Sequence, residues 1–363
     1  MRIVKATRKY ESWLAKYCKI VERDLSLKHQ RMAGDLFCFF RATFYRWLEL
    51  WNKACPELTR APKVLAVGDL HVENFGTWRD IEGRLIWGIN DFDEAYEMAY
   101  TIDLVRLAAS AHLSALAGHL AIKHEHICDA VLEGYRNGLA EGGKPFVLEE
   151  KHDWLRRIAM SDLRDPVHFW EKMDGLPRPK RIAPPSALKA LSRLMPEPGM
   201  SFEIRSRVAG LGSLGRERYV ALANWHGGRI AREAKALAPS ACVWANGGKG
   251  SKRILYQKIL SSSVRCRDPF VELKGRWIIR RLAPHCSRIE LSSLPKERDE
   301  ARLLHAMGWE TSNVHIGSLR SIKAVKRDLD KRPSVWLRDA AQEMAKIITV
   351  DWQEWKNASA NST

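Results

Sequence analysis

An aspartate at position 69, an asparagine five residues on at 74, and two more aspartates at 91 and 93 have the types and spacing to do chemistry. They lie in Gly68-Asp69-Leu70-His71-Val72-Glu73-Asn74 and Asn90-Asp91-Phe92-Asp93. Phosphoryl transfer needs such a set: an Asp to accept the proton of the attacking hydroxyl, an Asn to give Mg²⁺ a neutral oxygen, and a later Asp to bridge Mg²⁺ to the phosphates. The spacing from Asp69 to Asn74 equals that of the kinase catalytic loop. Two other readings compete. Asp and Asn are common in turns, where they satisfy backbone amides. Asp69-Leu70-His71 after a strand is also how dinuclear metallophosphatases begin, with Asp69 and His71 as metal ligands, but such enzymes add a Gly-Asp-x-x-Asp-Arg and a Gly-Asn-His that this chain does not offer.

A second stretch, Val208-Ala209-Gly210-Leu211-Gly212-Ser213-Leu214-Gly215, holds a G-x-G-x-x-G pattern. In a dinucleotide-binding fold the third glycine opens a helix. Here Glu217–Leu222 reads instead as a strand, with a turn over Asn224–Gly228 and a third strand around Arg229–Ala234 that ends at Lys235. A glycine-rich turn between strands is a kinase-type phosphate cover, because backbone amides can lie over a nucleotide where no side chain intervenes. Lys235 then falls where a lysine would reach the α and β phosphates. The alternatives are a plain hairpin turn and a solvated lysine.

The elements that must position these residues are short. Lys63–Val67 and Arg84–Ile89 are apolar runs ending at Gly68 and Asn90, with Asn74-Phe75-Gly76 and Glu82-Gly83 as turns between them. A hairpin of the two would bring Asp69, Asn74 and Asp91 to one end of a small sheet. Thr101–Leu120 reads as a helix with Asp103 in its first turn and Val105, Ala108, Ala109, His112, Leu113 and Leu116 at helical spacing. Leu36, Phe39, Phe40, Phe44, Trp47 and Leu48 make the apolar face of one early helix. Asp165–Gly199, rich in proline, reads as a connection with a short helix over Ser186–Leu194, and Ala358–Thr363 as a frayed tail.

Gly68–Gly76, Asn90–Glu94, Asp103–Ser110 and Val208–Leu222 together resemble the bacterial family known as domain of unknown function 2252. Arg31-Met32 with Phe37–Arg41, and Trp277–Leu282 with Ala306-Met307-Gly308 and His315, extend the resemblance over nearly the whole chain. That family is similar to the protein-kinase-like superfamily and to aminoglycoside and choline phosphotransferases, whose Gly-Asp-x-His-x-x-Asn loop matches Gly68 to Asn74. The resemblance implies ATP and Mg²⁺, with Asp69 as base, Asn74 and Asp91 as metal ligands, and Lys235 as phosphate anchor under Gly210, Gly212, Ser213 and Gly215. Asp93 becomes a further ligand or a turn former, and His71, at the position of a kinase lysine, a contact to the transferred phosphate. Asp103 would brace the loop through backbone hydrogen bonds, and Arg106 would pair with an acid on its helix or in the loop. Two features depart from the pattern: Val67 stands where aminoglycoside phosphotransferases have His, and no Glu lies between Lys235 and Glu272, which leaves Gln257, Glu233 or nothing as partner for Lys235.

The implied fold is α+β, a two-lobed protein-kinase-like architecture with the lobes in permuted chain order. Residues 1–200 form a helical catalytic lobe with the acidic hairpin and the proline-rich connection, 201–285 a β-rich nucleotide lobe, and 286–363 helices that return to the larger lobe. The 363 residues, 45% hydrophobic with 14 Trp, suit a globular enzyme. Seven scattered Cys, without a C-x-x-C pair, indicate neither zinc knuckle nor disulfide framework and imply a reducing, cytoplasmic setting. No stretch has the length of a membrane span, and Met1–Tyr17 lacks the apolar core of a signal peptide. A net charge of +17 favours acidic partners such as nucleotides and an acidic or hydroxyl-bearing acceptor. Nucleic acid as substrate is not favoured, because no recognised binding motif and no dense basic run occurs. The function expected is an ATP- and Mg²⁺-dependent phosphotransferase; the alternatives are a metallophosphoesterase and a non-catalytic nucleotide- or nucleic-acid-binding protein.

Overall fold

Residues 2–159, 165–286 and 299–361 are described by the computed structural model. Among them the chain forms fourteen α-helices and ten strands in three antiparallel sheets, an α+β protein. Helices α1 (Ile3–Leu14), α2 (Glu22–Gly34), α3 (Leu36–Ala42) and α4 (Phe44–Ala54) come first. The single early helix expected from the aromatic spacing is thus two, broken at Thr43, whose hydroxyl turns back to the Phe39 carbonyl at 2.7 Å. Such back-bonding competes with helix continuation. Asp35 caps α3 by accepting from Cys38 N at 2.6 Å.

Strands β1 (Lys63–Ala66), β2 (Phe75–Arg79), β3 (Leu85–Ile89) and β4 (Tyr96–Ala99) follow. The expected hairpin of Lys63–Val67 with Arg84–Ile89 does not form: β1 pairs with β4, and β3 pairs with β2. Phe75-Gly76, read as a turn, begins β2, because the buried Phe75 faces Ile89 and Gly76 faces Gly88 across the ladder. Helix α5 (Thr101–Leu116) is buried on nearly every side, Asp103 and Arg106 included, and stops four residues short of the expected Leu120.

Next come α6 (His124–Glu141), β5 (Phe146–Val147), which adds to β3, and α7 (Asp153–Ala159). The proline-rich stretch holds two helices rather than one, α8 (Pro166–Asp174) and α9 (Pro185–Arg193). Proline opens both, since at the first helical position its missing N–H costs nothing, and Asp165 caps α8 by accepting from Val167 N at 2.7 Å.

These two helices cover the largest sheet, built from β6 (Glu203–Ser206), β7 (Arg218–Trp225), β8 (Gly228–Ala236), β9 (Glu272–Lys274) and β10 (Trp277–Leu282) in the order β6-β7-β8-β10-β9. Alternation sets the faces. Tyr219, Ala221, Ala234 and Ala236 pack with Ala187, Ala190 and Leu191 of α9, while Val220, Leu222 and Ala231 pack with Met173 of α8. Short helices α10 (Ala241–Ala245) and α11 (Tyr256–Ser262) lie between β8 and β9.

The chain ends in α12 (Glu300–His315), α13 (Leu319–Lys331) and α14 (Trp336–Ala360), so Ala358–Ala360, expected to fray, are helical. Of the helices expected over 286–363, residues 287–298 and 362–363 lie outside the described residues. Helices α6 and α12 touch backbone to backbone: a Cβ on Gly134 would lie 1.9 Å from the His305 carbonyl oxygen, and one on Gly308 2.1 Å from that of Val131. Among the described residues no helix is long and apolar enough to cross a membrane.

Candidate functional site

Gly68 opens the acidic loop with φ +88°, and a Cβ there would stand 2.6 Å from the Glu94 carbonyl oxygen, so the turn out of β1 requires glycine. Asp103, fully buried in the first turn of α5, accepts from Val67 N at 2.7 Å and Gly68 N at 2.8 Å, the bracing expected of it. His315 Nε2 donates to the same carboxylate at 2.9 Å, and its Nδ1 meets the Tyr135 hydroxyl at 2.8 Å. A chain of buried polar groups from α6 through α12 to α5 thus fixes the turn before Asp69. In the sequence, His315 signalled itself only through the family resemblance.

Asp69 receives Arg106 Nε at 2.8 Å, and Arg106, wholly buried, also donates to the Phe40 carbonyl at 3.0 Å. Its guanidinium lies 4.1 Å from the Phe40 ring centroid and 4.9 Å from that of Trp47. Burial raises the Asp69 carboxyl, and the Arg106 charge opposes that rise. Asn74 Oδ1 accepts from His71 N at 2.7 Å, so the amide also does turn chemistry, and Glu73 N donates to His71 Nδ1 at 3.2 Å. Asn90 N donates to the Asn74 carbonyl at 3.0 Å, which sets Asp91 one residue beyond the position facing Asn74.

Lys235, on β8 and 2% exposed, reaches across to this loop. Its Nζ is 2.6 Å from Asp93 Oδ2 and 3.4 Å from Asp91 Oδ2, although 142 and 144 residues separate them in sequence. Neither Gln257 nor Glu233 is its hydrogen-bond partner: Gln257 Oε1 accepts from Leu273 N, and Glu233 is held by Arg207 at 2.6 Å and Arg218 at 3.0 Å. Burial works to raise the Asp91 carboxyl, but Lys235 and Arg280 outweigh it and hold Asp91 well below the ordinary carboxylate range. Burial and the adjacent Asp91 charge push Asp93 the other way. Lys235 itself is lowered by burial, against the pull of both carboxylates.

The glycine loop joins β6 to β7 through a 3-10 turn at Leu211–Ser213. Arg218 Nη2 donates to Ser213 Oγ at 2.7 Å, and Ser213 Oγ to the Gly210 carbonyl at 3.2 Å. Gly212 rests on the end of α3 and beside the acidic loop, where a Cβ would come 3.2 Å from the Arg41 carbonyl oxygen and 3.6 Å from Asp69 Oδ2. Asp69, His71, Asn74, Asp91, Asp93, Gly210, Gly212, Ser213 and Lys235 all line one cleft of about 580 Å³. Gly215 does not line it; its carbonyl accepts from Val21 N at 2.8 Å and anchors the loop to the chain's beginning.

Sequence reasoning missed most of the cleft's arginines. Arg41 pairs with Glu73, Arg216 lies 3.7 Å from Asp93 and 3.5 Å from Glu94, and Arg280 lines the wall beside Lys235. Glu94 is buried, accepts from Ala241 N at 2.6 Å, and burial pushes it up to about 7 against the Arg216 charge. Phe169 and Met173 of α8, with Leu282 at the end of β10 and Ala283 and Pro284 after it, make an apolar stretch of the wall.

Among the described residues no group of three or more His, Cys, Asp and Glu side chains could hold a metal ion. A Mg²⁺ held by one or two carboxylates plus substrate phosphates and water does not need such a cage. Asp91 keeps 39% of its side chain open, and Asp93 Oδ1 is buried without a hydrogen-bond partner among the described residues, so both have acceptor capacity left for a cation.

Fold and site define an α+β protein whose cleft is walled by an acidic loop on one side and a glycine loop with a buried lysine on the other. Residues 20–166 match the family described as uncharacterized protein conserved in bacteria (DUF2252). The match takes in the Asp69–Asp93 stretch and does not extend to the glycine loop or Lys235, over which the sequence resemblance was also drawn. No curated protein and no solved structure matches the chain.

Proposed function

We propose that this chain is an ATP- and Mg²⁺-dependent phosphotransferase of kinase-like, two-lobed build with its lobes in permuted order, acting on a hydroxyl-bearing acceptor. One observation carries the reading: residues 69–93 and 210–235, remote in sequence, converge on one cleft where Lys235 Nζ lies 2.6 Å from Asp93 and 3.4 Å from Asp91. The glycine loop between the first two strands of the five-stranded sheet and the lysine on the third follow the order of a kinase nucleotide site. The apolar wall of Phe169, Met173 and Leu282 suits a nucleobase.

In this reading Asp69 takes the proton of the acceptor hydroxyl as its oxygen bonds to the γ-phosphorus and the bond to the β–γ bridging oxygen breaks. A carboxyl raised by burial is the better base for it. Arg106 holds Asp69 in place, and Lys235 and the loop amides hold the phosphates. Asn74, Asp91 and Asp93 would hold Mg²⁺, which when bound neutralises phosphate charge. A dinuclear metallophosphoesterase finds no ligand cluster among the described residues.

The test is direct. ATP with Mg²⁺ should raise the melting temperature of the wild type and leave Asp91→Ala unmoved. Asp69→Asn should keep that rise and lose γ-phosphate consumption against metabolite and protein pools. Equal shifts in wild type and Asp91→Ala would discard the site. A saturable shift in the wild type without any phosphate consumption would leave a nucleotide binder.

A further inference from the structure

Beside the cleft, and sharing Asn90, Arg280 and Cys286 with it, lies a smaller pocket of about 70 Å³ behind Trp78 and Phe92. Arg265, Arg267, Arg280 and Arg281 line it, with Asp268 the one carboxylate of the lining among the described residues and the buried Glu310 acting on the Arg265 charge from outside it. Arg265 stacks between two rings, its guanidinium carbon 4.5 Å from the Trp78 centroid and 5.1 Å from that of Phe92. Among the described residues its Nε and Nη1 are buried with no hydrogen-bond partner, and so are Arg280 Nε and Arg281 Nε, while Arg280 Nη2 donates to the Tyr256 hydroxyl at 3.0 Å and Arg281 Nη2 to the Arg79 carbonyl at 3.1 Å. Asp268 does not complete the set: it stands 3.7 Å from Arg281 and already accepts from Phe270 N at 2.9 Å.

A buried guanidinium N–H without an acceptor is costly, and several such N–H groups in one small cavity ask for a common anion. Planar guanidinium forks match the oxygens of phosphate better than a lysine would. The volume holds roughly five water-sized spheres, enough for one compact oxyanion and too little for a nucleotide. We infer that this pocket is a binding site for a phosphate-type oxyanion, held by Arg265 and Arg281 with Arg267 at its rim. The oxyanion is either free inorganic phosphate or the phosphoryl group of a small metabolite whose remainder passes toward the cleft. The site rests on its own geometry and stands whether or not the cleft transfers phosphate.

Thermal unfolding and titration calorimetry of the full chain, at fixed ionic strength, with inorganic phosphate in one arm and glycerol phosphate in the other, test it. At least one ligand should bind saturably, and the stronger arm identifies the source. Arg265→Gln and Arg281→Gln should each weaken binding at least about ten-fold, the loss expected when a charged hydrogen bond is removed. Arg265→Lys keeps a charge in the pocket should Arg265→Gln not fold, and it too should bind more weakly. Lys235→Met, which alters only the cleft, should bind as the wild type does. Absence of saturable binding in both arms, wild-type affinity in the arginine variants, or loss of binding in Lys235→Met alone would overturn the assignment.

Discussion

Replacing Arg106 by Met isolates what holds the candidate base. The side chain is fully buried, donates to Asp69 and to the Phe40 carbonyl, and lies over three aromatic rings. Methionine keeps most of the apolar contact and removes the charge. A carboxylate left buried without its partner costs about 3–5 kcal/mol. Asp69 retains 21% side-chain exposure, which lets water screen part of the loss, so the lower end, about 3 kcal/mol, is expected at pH 7.5. The pH dependence follows from the sign of the shift. Burial already raises Asp69 and Arg106 opposes it; without Arg106 the folded value climbs further while the unfolded one stays near about 4. A carboxyl raised in the folded state contributes stability that is complete below its unfolded value and is lost as pH rises through the folded one. The penalty relative to wild type should therefore be largest at pH 7.5 and shrink at pH 4.5, measured by urea unfolding. The double variant Arg106→Met with Asp69→Asn should recover most of it at pH 7.5. A single-variant loss under about 1 kcal/mol, or a penalty identical at both pH values and unrelieved in the double variant, would refute the reasoning.

Two further outcomes follow from packing and burial. Gly134→Ala should destabilise by at least about 2 kcal/mol in urea, because its Cβ would meet the His305 backbone at 1.9 Å and α6 and α12 would have to part; a cost near zero would mean that the two helices do not touch there. Glu310, buried under β3 and accepting from Ile89 N at 3.2 Å and Asn313 Nδ2 at 2.7 Å, is pushed up to about 7 by burial against the Arg265 charge. Its favourable contribution is complete below the unfolded value, about 4.3, and is lost as pH rises through about 7, so the wild type should lose stability between pH 5.5 and 8.5 relative to Glu310→Gln. Parallel stability curves for the two proteins would rule that out.

Local signals were the legible ones. Glycine at 68 and the apolar run before it place Asp69 at a strand end, and Asp103 in a helical first turn is where an acid can take backbone amides. Pairing was not legible, because both Val64 and Ile86 belong to buried runs and nothing local says that β1 takes β4 and leaves β3 to β2. Phe75-Gly76, read as a turn, instead runs in a strand opposite Gly88 and Ile89. Gly88, which faces Gly76 across the ladder, leaves room for Glu310, whose Oε1 would be 2.3 Å from a Cβ there. That requirement comes from a helix more than two hundred residues away and has no local trace. The prolines of 165–199 misled in the same way, since Pro166 and Pro185 open helices whose purpose is to cover the two faces of a later sheet.

The partner of Lys235 is the instructive case. A search along the following helices for a glutamate finds none, because the counter-charge comes from the acidic loop, through Asp93 and Asp91. The two carboxylates assigned to a metal are therefore the ones that neutralise the lysine assigned to phosphate. Such an arrangement balances charge only while cation and anion are both absent or both present. A Mg²⁺ alone would leave Lys235 facing a cation, and phosphates alone would leave Asp91 and Asp93 facing anions; together they exchange one set of ion pairs for another. Nucleotide and Mg²⁺ should accordingly bind as a unit, each strengthening the affinity for the other by the same factor. Independent binding of the two in a calorimetric titration would contradict the shared role of Lys235, Asp91 and Asp93.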